Sequence, residues 1–224
     1  MDPTFPDRRA AGRALAHALR HLAGRDTIIL GLPRGGLPVA DEVARDMKAP
    51  LDIVLVRKIG MPMNPELALG AIAGPTGQTQ VLNAELVNLY GIDAATVEAQ
   101  AAPERAELAR RRKLWGARLR PGALKGKVVI LVDDGIATGA TMQAAIAAVR
   151  AEHPLRVVVA TPVASREALE RMSRLADEVV CLSTPFAFSA VGRHYASFPQ
   201  LGDEEVRAIL AAAGSGPAPT VGEP

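Results

Sequence analysis

Two carboxylates in succession, Asp133 and Asp134, close the run Lys127-Val-Val-Ile-Leu-Val132 and open the loop Gly135-Ile-Ala-Thr-Gly-Ala-Thr141. An apolar helix is expected to begin near Met142. Small-residue loops of this kind turn successive backbone N–H groups towards an anion, and a helix N-terminus adds favourable partial charge. The two carboxylates would repel a bare phosphate, so they suit a sugar diol or a Mg²⁺ ion. Together these residue types describe a site for a phosphorylated sugar. The alternative is an ordinary strand-to-helix turn with surface aspartates.

A second junction of the same kind is Leu30-Gly-Leu-Pro-Arg-Gly-Gly36. Gly35 and Gly36 allow close approach and unusual backbone angles, and Arg34 can grip a phosphate through two parallel hydrogen bonds. Arg57 and Lys58 close the next apolar run, where two cations could stabilise charge on a leaving group. A solvated surface pair is the competing reading. Among the few aromatics, Phe186 and Tyr195 are candidates to stack on a flat acceptor, and His194 is a candidate acid–base group. Each could equally be a packing or surface residue.

The elements that must position these groups read as α/β. Apolar strands are expected at 27–32, 51–56, 79–82, 128–132, 156–161 and 178–182. Helices are expected at 8–22, from about Pro38, at 93–119, at 142–151 and at 166–174. Val39, Val43 and Met47 share one helical face. The alternation implies a mostly parallel sheet with helices on both faces and a small hood or lid, with ligands beyond the carboxyl ends of the strands. Residues 58–75, rich in Gly and Pro, form a long loop or hairpin, and 93–120 reads as a helical insertion. Residues 1–212 then make one domain, and 213–224 are expected to be a disordered tail.

Composition narrows the partners. The 224 residues carry a net charge of +2 and only 3% aromatics, which argues against a nucleic-acid surface. The Arg110-Arg-Arg-Lys113 helix reads as a solvated face with pairs such as Glu107–Arg111. The single Cys181 excludes an intrachain disulfide and is expected to be a buried, inert thiol. There is no signal-peptide pattern at the N-terminus and no run of the roughly 18 apolar residues a membrane span needs, so the expected location is the cytoplasm. The sequence has no Walker-A loop, no dinucleotide fingerprint and no nucleophile elbow.

The stretch from Asp133 to Thr141 resembles the signature of type I phosphoribosyltransferases. The resemblance implies that Asp133 and Asp134 hold the ribose hydroxyls of phosphoribosyl pyrophosphate (PRPP). It implies that Ala137, Thr138, Gly139, Ala140 and Thr141 wrap the 5-phosphate. It assigns Arg34, Gly35 and Gly36 to a pyrophosphate loop that often carries a non-proline cis peptide, and it places Arg57 and Lys58 in the site. It makes 59–73 a mobile flap, with Asn64 and Glu66 as polar candidates. The runs Arg57-Lys-Ile-Gly60, Asn64-Pro-Glu-Leu-Ala68 and Tyr195-Ala-Ser-Phe198 are similar to a bacterial subgroup of that family. Met61-Pro-Met63 is bulkier than that pattern, and His194 replaces an aromatic. Ala137 stands where 6-oxopurine enzymes carry a carboxylate, which argues against hypoxanthine or guanine as acceptor.

The implied activity is transfer of the 5-phosphoribosyl group of PRPP to a nitrogen acceptor, a nucleobase in the first instance, with Mg²⁺ assisting release of pyrophosphate. Association as a homodimer is also expected. The other readings are a PRPP- or nucleotide-binding regulator of the same fold, whose Arg110–Lys113 helix could contact nucleic acid, and PRPP hydrolysis or phosphoribosyl transfer to something other than a nucleobase.

Overall fold

A computed structural model describes residues 5–24, 26–62, 64–74 and 79–214. Of the expected features, Met63, Pro75, the Glu66 side chain and residues 215–224 lie outside the described set. Strands β1 (Thr27–Gly31), β2 (Leu51–Ile53), β6 (Val128–Val132), β7 (Arg156–Val163) and β8 (Glu178–Ser183) form a five-stranded parallel sheet in the order β2-β1-β6-β7-β8. Strands β3 (Leu55–Met61), β4 (Asn64–Gly74) and β5 (Thr79–Leu82) form a second, antiparallel sheet.

The continuous apolar runs of β1, β6 and β7 are what a strand covered on both faces requires. Every residue of β1 is buried, as are Val129 to Val132 and Val157 to Val163. One face meets α1 (Arg8–Leu19), α2 (Gly36–Met47) and α7 (Asp203–Ala213), which supply Leu15, Leu19, Val39, Val43 and Ile209 to a single cluster. The other face meets α5 (Ala140–Arg150) and α6 (Arg166–Ser173), through Met142, Ile146, Val149 and Met172. In α2 the three residues expected on one face, Val39, Val43 and Met47, are all buried.

The register decides where the loops emerge. Thr27 lies beside Val128 and Gly31 beside Val132, so β1 and β6 end level. Leu32 then donates its backbone N–H to the Val132 carbonyl at 2.8 Å. The Pro33–Gly36 turn and the Asp133–Thr141 turn therefore leave the carboxyl edge of the sheet side by side, at a position favoured for ligands in such sheets.

The expected single strand over 51–56 is divided. Chain direction changes at Val54, so β2 stays in the parallel sheet and β3 enters the second one. The Gly- and Pro-rich segment after Lys58 is a β-hairpin: β3 and β4 pair from Leu55–Gly74 to Met61–Asn64, with register shifts around Gly60. The segment expected as a helical insertion contains α4 (Ala94–Trp115), capped by the Asp93 side chain and ended by Gly116 in the left-handed region at φ 72°. Pro103 lies inside this helix. Beyond it, Asp52 of β2 accepts the N–H groups of Arg118 and Leu119 at 2.9 and 2.7 Å, anchoring the exit of α4 to the sheet. Two helices are additional to the expected set, α3 (Ala84–Leu89) and α7, and α7 carries order through Ala213. Among the described residues no helix is long and apolar enough to cross a membrane.

Candidate functional site

Asp133 and Asp134 follow β6 and sit in different surroundings. Asp134 is buried, and its Oδ2 accepts from Nε of Arg8 at 2.7 Å. Asp133 is half-buried, and its Oδ1 accepts from the Asp134 backbone N–H at 2.9 Å. Burial first, then the neighbouring Asp134 charge, pushes the Asp133 carboxyl well above the usual carboxylate range. Burial also raises Asp134, against the opposing pull of Arg8. Tyr195 fixes the backbone here by donating its hydroxyl to the Asp134 carbonyl at 2.6 Å. Burial, and then the Asp134 charge, raises the Tyr195 phenol far above its ordinary value.

The neighbouring turn is fitted against this pair. The Pro33–Arg34 peptide bond is cis. Gly35 has ordinary right-handed angles, φ −59° and ψ −38°, so glycine is required there for space. A Cβ at Gly35 would lie 2.1 Å from Asp134 Oδ2, and one at Gly36 would lie 2.6 Å from the Val132 carbonyl oxygen. These glycines admit the Asp pair itself, a closer neighbour than any ligand foreseen from sequence. Arg34 is held away from the turn, with Nη1 on the Leu201 carbonyl and Nη2 on Asp203, both at 3.1 Å.

The loop ending at Thr141 is held from outside. Ser165 donates Oγ–H to the Ala137 carbonyl at 2.7 Å, and Arg171 donates Nη1 to the Thr138 carbonyl at 2.9 Å. With those carbonyls engaged away from the turn, Gly139 adopts φ 78° as the N-cap of α5. The first N–H groups of α5, from Ala140 and Thr141 onward, have no acceptor within the helix, as at any helix start. The loop thus offers two hydroxyls and several N–H donors to an anion.

A cleft of about 590 Å³ lies beside Asp134. It is lined by Arg8, Pro33, Arg34, Gly35 and Asp134 together with Phe198 to Leu201, so Arg34 borders it although its guanidinium is engaged by Leu201 and Asp203. Arg111 of α4 also lines it. The guanidinium of Arg8 sits 3.6 Å from the Phe198 ring centroid, a cation–π contact.

Several expected residues stand elsewhere. Arg57 and Lys58 lie inside the β3–β4 hairpin, opposite Ile72 and Ala71, and not at the carboxyl end of a parallel strand. Successive strand residues face opposite ways. Arg57 borders a narrow crevice with Pro33 and Thr141, and its Nε is bound by Glu104 at 2.5 Å. Lys58 borders a different space, between the hairpin and α5, which Ala140 and Thr141 of the expected phosphate loop also line. Tyr195 is a buried ring between Phe5 and Phe198, at centroid distances of 5.7 and 5.0 Å. Phe186 is 99% exposed. Neither borders the cleft, where the aromatic ring is Phe198. His194 is buried and stacked on Phe188 at 5.4 Å, its Nε2 unpartnered among the described residues. Cys181 is half-buried, and burial pushes its thiol up, away from reactivity.

Arg8, Arg111 and Phe198 were missed from sequence. Arg8 looked like a helix-start residue, and Arg111 like one member of a charged face. The Glu107–Arg111 pair expected there does form, at 2.6 Å. Glu107 also takes Arg110, and the two arginines, Arg110 first, hold its carboxyl down at about 2.

Residues 7–197 match the profile of the phosphoribosyl transferase domain. The chain is 47% identical over 206 residues to a Mycobacterium tuberculosis protein named "Putative phosphoribosyl transferase Rv0571c", covering 92% of this chain and 46% of that one. It therefore spans about half the length of these curated relatives. It is 31% identical over 121 residues to the "Bifunctional protein PyrR" of Pelotomaculum thermopropionicum, covering 53% of this chain and 60% of that one. Among solved structures, TT1426 from Thermus thermophilus matches with a TM-score of 0.80 and 48% identity, over 95% of this chain and 99% of that one. The chain shares its fold with TT1426 and belongs to the phosphoribosyl transferase domain family.

Proposed function

We propose that this domain transfers the 5-phosphoribosyl group of PRPP to a nitrogen acceptor of the nucleobase class, with release of pyrophosphate. One observation carries the reading. The level ends of β1 and β6 bring the loop that starts α5 and the 33–36 glycine turn together at Asp133 and Asp134. That spacing suits a pentose with a phosphate at one end and a diphosphate at the other. The 137–141 loop takes the 5-phosphate through N–H groups and the Thr138 and Thr141 hydroxyls. Asp133 and Asp134 accept from the ribose hydroxyls. The 33–36 turn meets the diphosphate.

Mg²⁺ fits these residues. The two carboxylates are adjacent, Asp134 is paired with the Arg8 guanidinium, and burial raises both pKa values, with the Asp134 charge adding to the rise at Asp133. Among the described residues no group of three or more His, Cys, Asp or Glu forms a cage. An ion here would be held by Asp133 or Asp134 together with substrate oxygens and water, as Mg²⁺ commonly is. When bound, it would neutralise charge on the leaving diphosphate.

In the reaction the C1–O bond to pyrophosphate breaks and its electron pair leaves with the diphosphate. The nitrogen lone pair forms the new bond to C1, and the nitrogen gives up its proton. The transition state is oxocarbenium-like, as in glycoside cleavage. The residues of this chain orient the ribose and offset the growing negative charge, and positioning supplies most of the acceleration. Phe198, packed against Arg8 and Tyr195, is the aromatic ring that borders the cleft and offers apolar contact to an acceptor there. Association as a dimer remains part of the proposal.

The test is a screen of nucleobases and small amines with PRPP and Mg²⁺, read as pyrophosphate release. Release that depends on one base supports the proposal. Release with no acceptor would replace it with hydrolysis, and PRPP binding without release would replace it with a regulatory role.

A further inference from the structure

The buried stripe of α4 runs through Val97, Ala101, Leu108 and Trp115, at spacings of four and seven. Two charged residues lie on the same stripe, Glu104 and Arg111, both half-buried. A charge turned inward needs a partner. Glu104 has Arg57. Arg111 has Glu107, which engages only the Nε edge of the guanidinium among the described residues. The Trp115 ring, 5.6 Å from the Arg111 Cζ, holds it on the other side.

This leaves the double-NH₂ end of a clamped, planar cation at a particular place. Arg111 borders the cleft with Gly35 and Asp134, and it also borders the crevice with Arg57 and Thr141. Of the residues around either space, only Pro33 and Arg111 border both. Arg111 therefore stands where the two anion loops meet. The Trp115 indole N–H also donates to Asp203 at 3.1 Å, and Asp203 binds Arg34. One network thus connects the cations on both sides of the 33–36 turn.

We infer that Arg111, carried by the inserted helix α4, contacts the diphosphate end of the sugar donor. The inference rests on the donor reading proposed above. A fork of N–H donors suits two phosphoryl oxygens, and a point charge would not replace it fully. The insertion is then a wall of the donor site and not an appendage.

The experiment is calorimetric titration of the wild type, Arg111→Ala, Arg111→Lys and Arg110→Ala. The probes are PRPP with Mg²⁺, magnesium pyrophosphate and ribose 5-phosphate. Arg110 is the control, because it shares Glu107 but does not border the cleft. Arg111→Ala should weaken PRPP and pyrophosphate about tenfold or more and leave ribose 5-phosphate within about twofold. Arg111→Lys should fall between, and Arg110→Ala should match the wild type. Equal loss for all three probes, or none in Arg111→Ala, overturns the inference alone. A wild type that binds neither PRPP nor pyrophosphate overturns the donor reading and the inference with it. Thermal melting of each variant identifies any loss due to unfolding, and in that case the better-packed Arg111→Lys decides by the same comparison.

Discussion

Arg8 and Asp134 are 126 positions apart and joined by a 2.7 Å ion pair, with side chains only 9% and 12% exposed. The same guanidinium donates Nη1 to the Pro199 carbonyl at 2.8 Å and covers the Phe198 ring. The first helix, the central strand and the segment over the cleft thus meet at one cation. Removing one partner of a buried pair leaves the other charge uncompensated. Arg8→Met should therefore cost about 3–5 kcal/mol of stability. Urea denaturation at neutral pH measures it, and a change below about 1 kcal/mol would mean that the pair behaves as a solvated one.

Asp133 should show the opposite behaviour. Its folded-state pKa is raised above the unfolded value of about 3.9, so the folded chain binds that proton more tightly. The associated stability is complete below about pH 4 and is lost as pH rises through the folded-state pKa. Asp133→Asn removes this dependence. At pH 7 the variant should melt higher than its parent while losing turnover, and the gap should close as pH falls to about 4. A gap that is constant with pH would place the titrating carboxylate elsewhere.

Gly35→Ala should disturb the site through space alone, because its Cβ would meet Asp134 Oδ2 at 2.1 Å. We expect a loss of about 1–3 kcal/mol, as for other overpacked positions, together with weakened PRPP binding. Gly24→Ala, with open space around the added methyl, serves as the control and should stay within about 0.5 kcal/mol. Equal melting temperatures for the two variants would show that the turn can yield.

Tyr195 and Phe186 separate packing from recognition. Tyr195→Phe leaves the Asp134 carbonyl without its 2.6 Å donor and should cost about 1–3 kcal/mol. Phe186→Ala should change stability very little, since that ring is exposed. Once an acceptor is found, Phe198→Ala should raise its KM, and neither of the other two substitutions should. Steady-state kinetics with each variant decide which ring the acceptor meets.

Local sequence alone determined the strand–carboxylate–loop–helix unit at 128–150 and its counterpart at 27–47. In both, an uninterrupted apolar run dictates a buried parallel strand, and the small residues after it allow a tight turn into a helix. The same reasoning placed the Glu107–Arg111 pair, because i,i+4 neighbours on a helix meet wherever that helix lies. Tertiary structure decided the rest. Arg8 reaches Asp134 only because α1 packs on the sheet against β7 and β8, next to β6, and Arg111 reaches the cleft only because α4 lies along β3. Arg57 and Lys58 are adjacent in sequence, yet pairing in the hairpin sends them to opposite faces. Tyr195 became a support beneath the Asp pair and Phe198 the exposed ring, a choice set by Phe5 pairing beside Tyr195. Periodicity reports on contacts within a few residues, and these contacts span tens to more than a hundred.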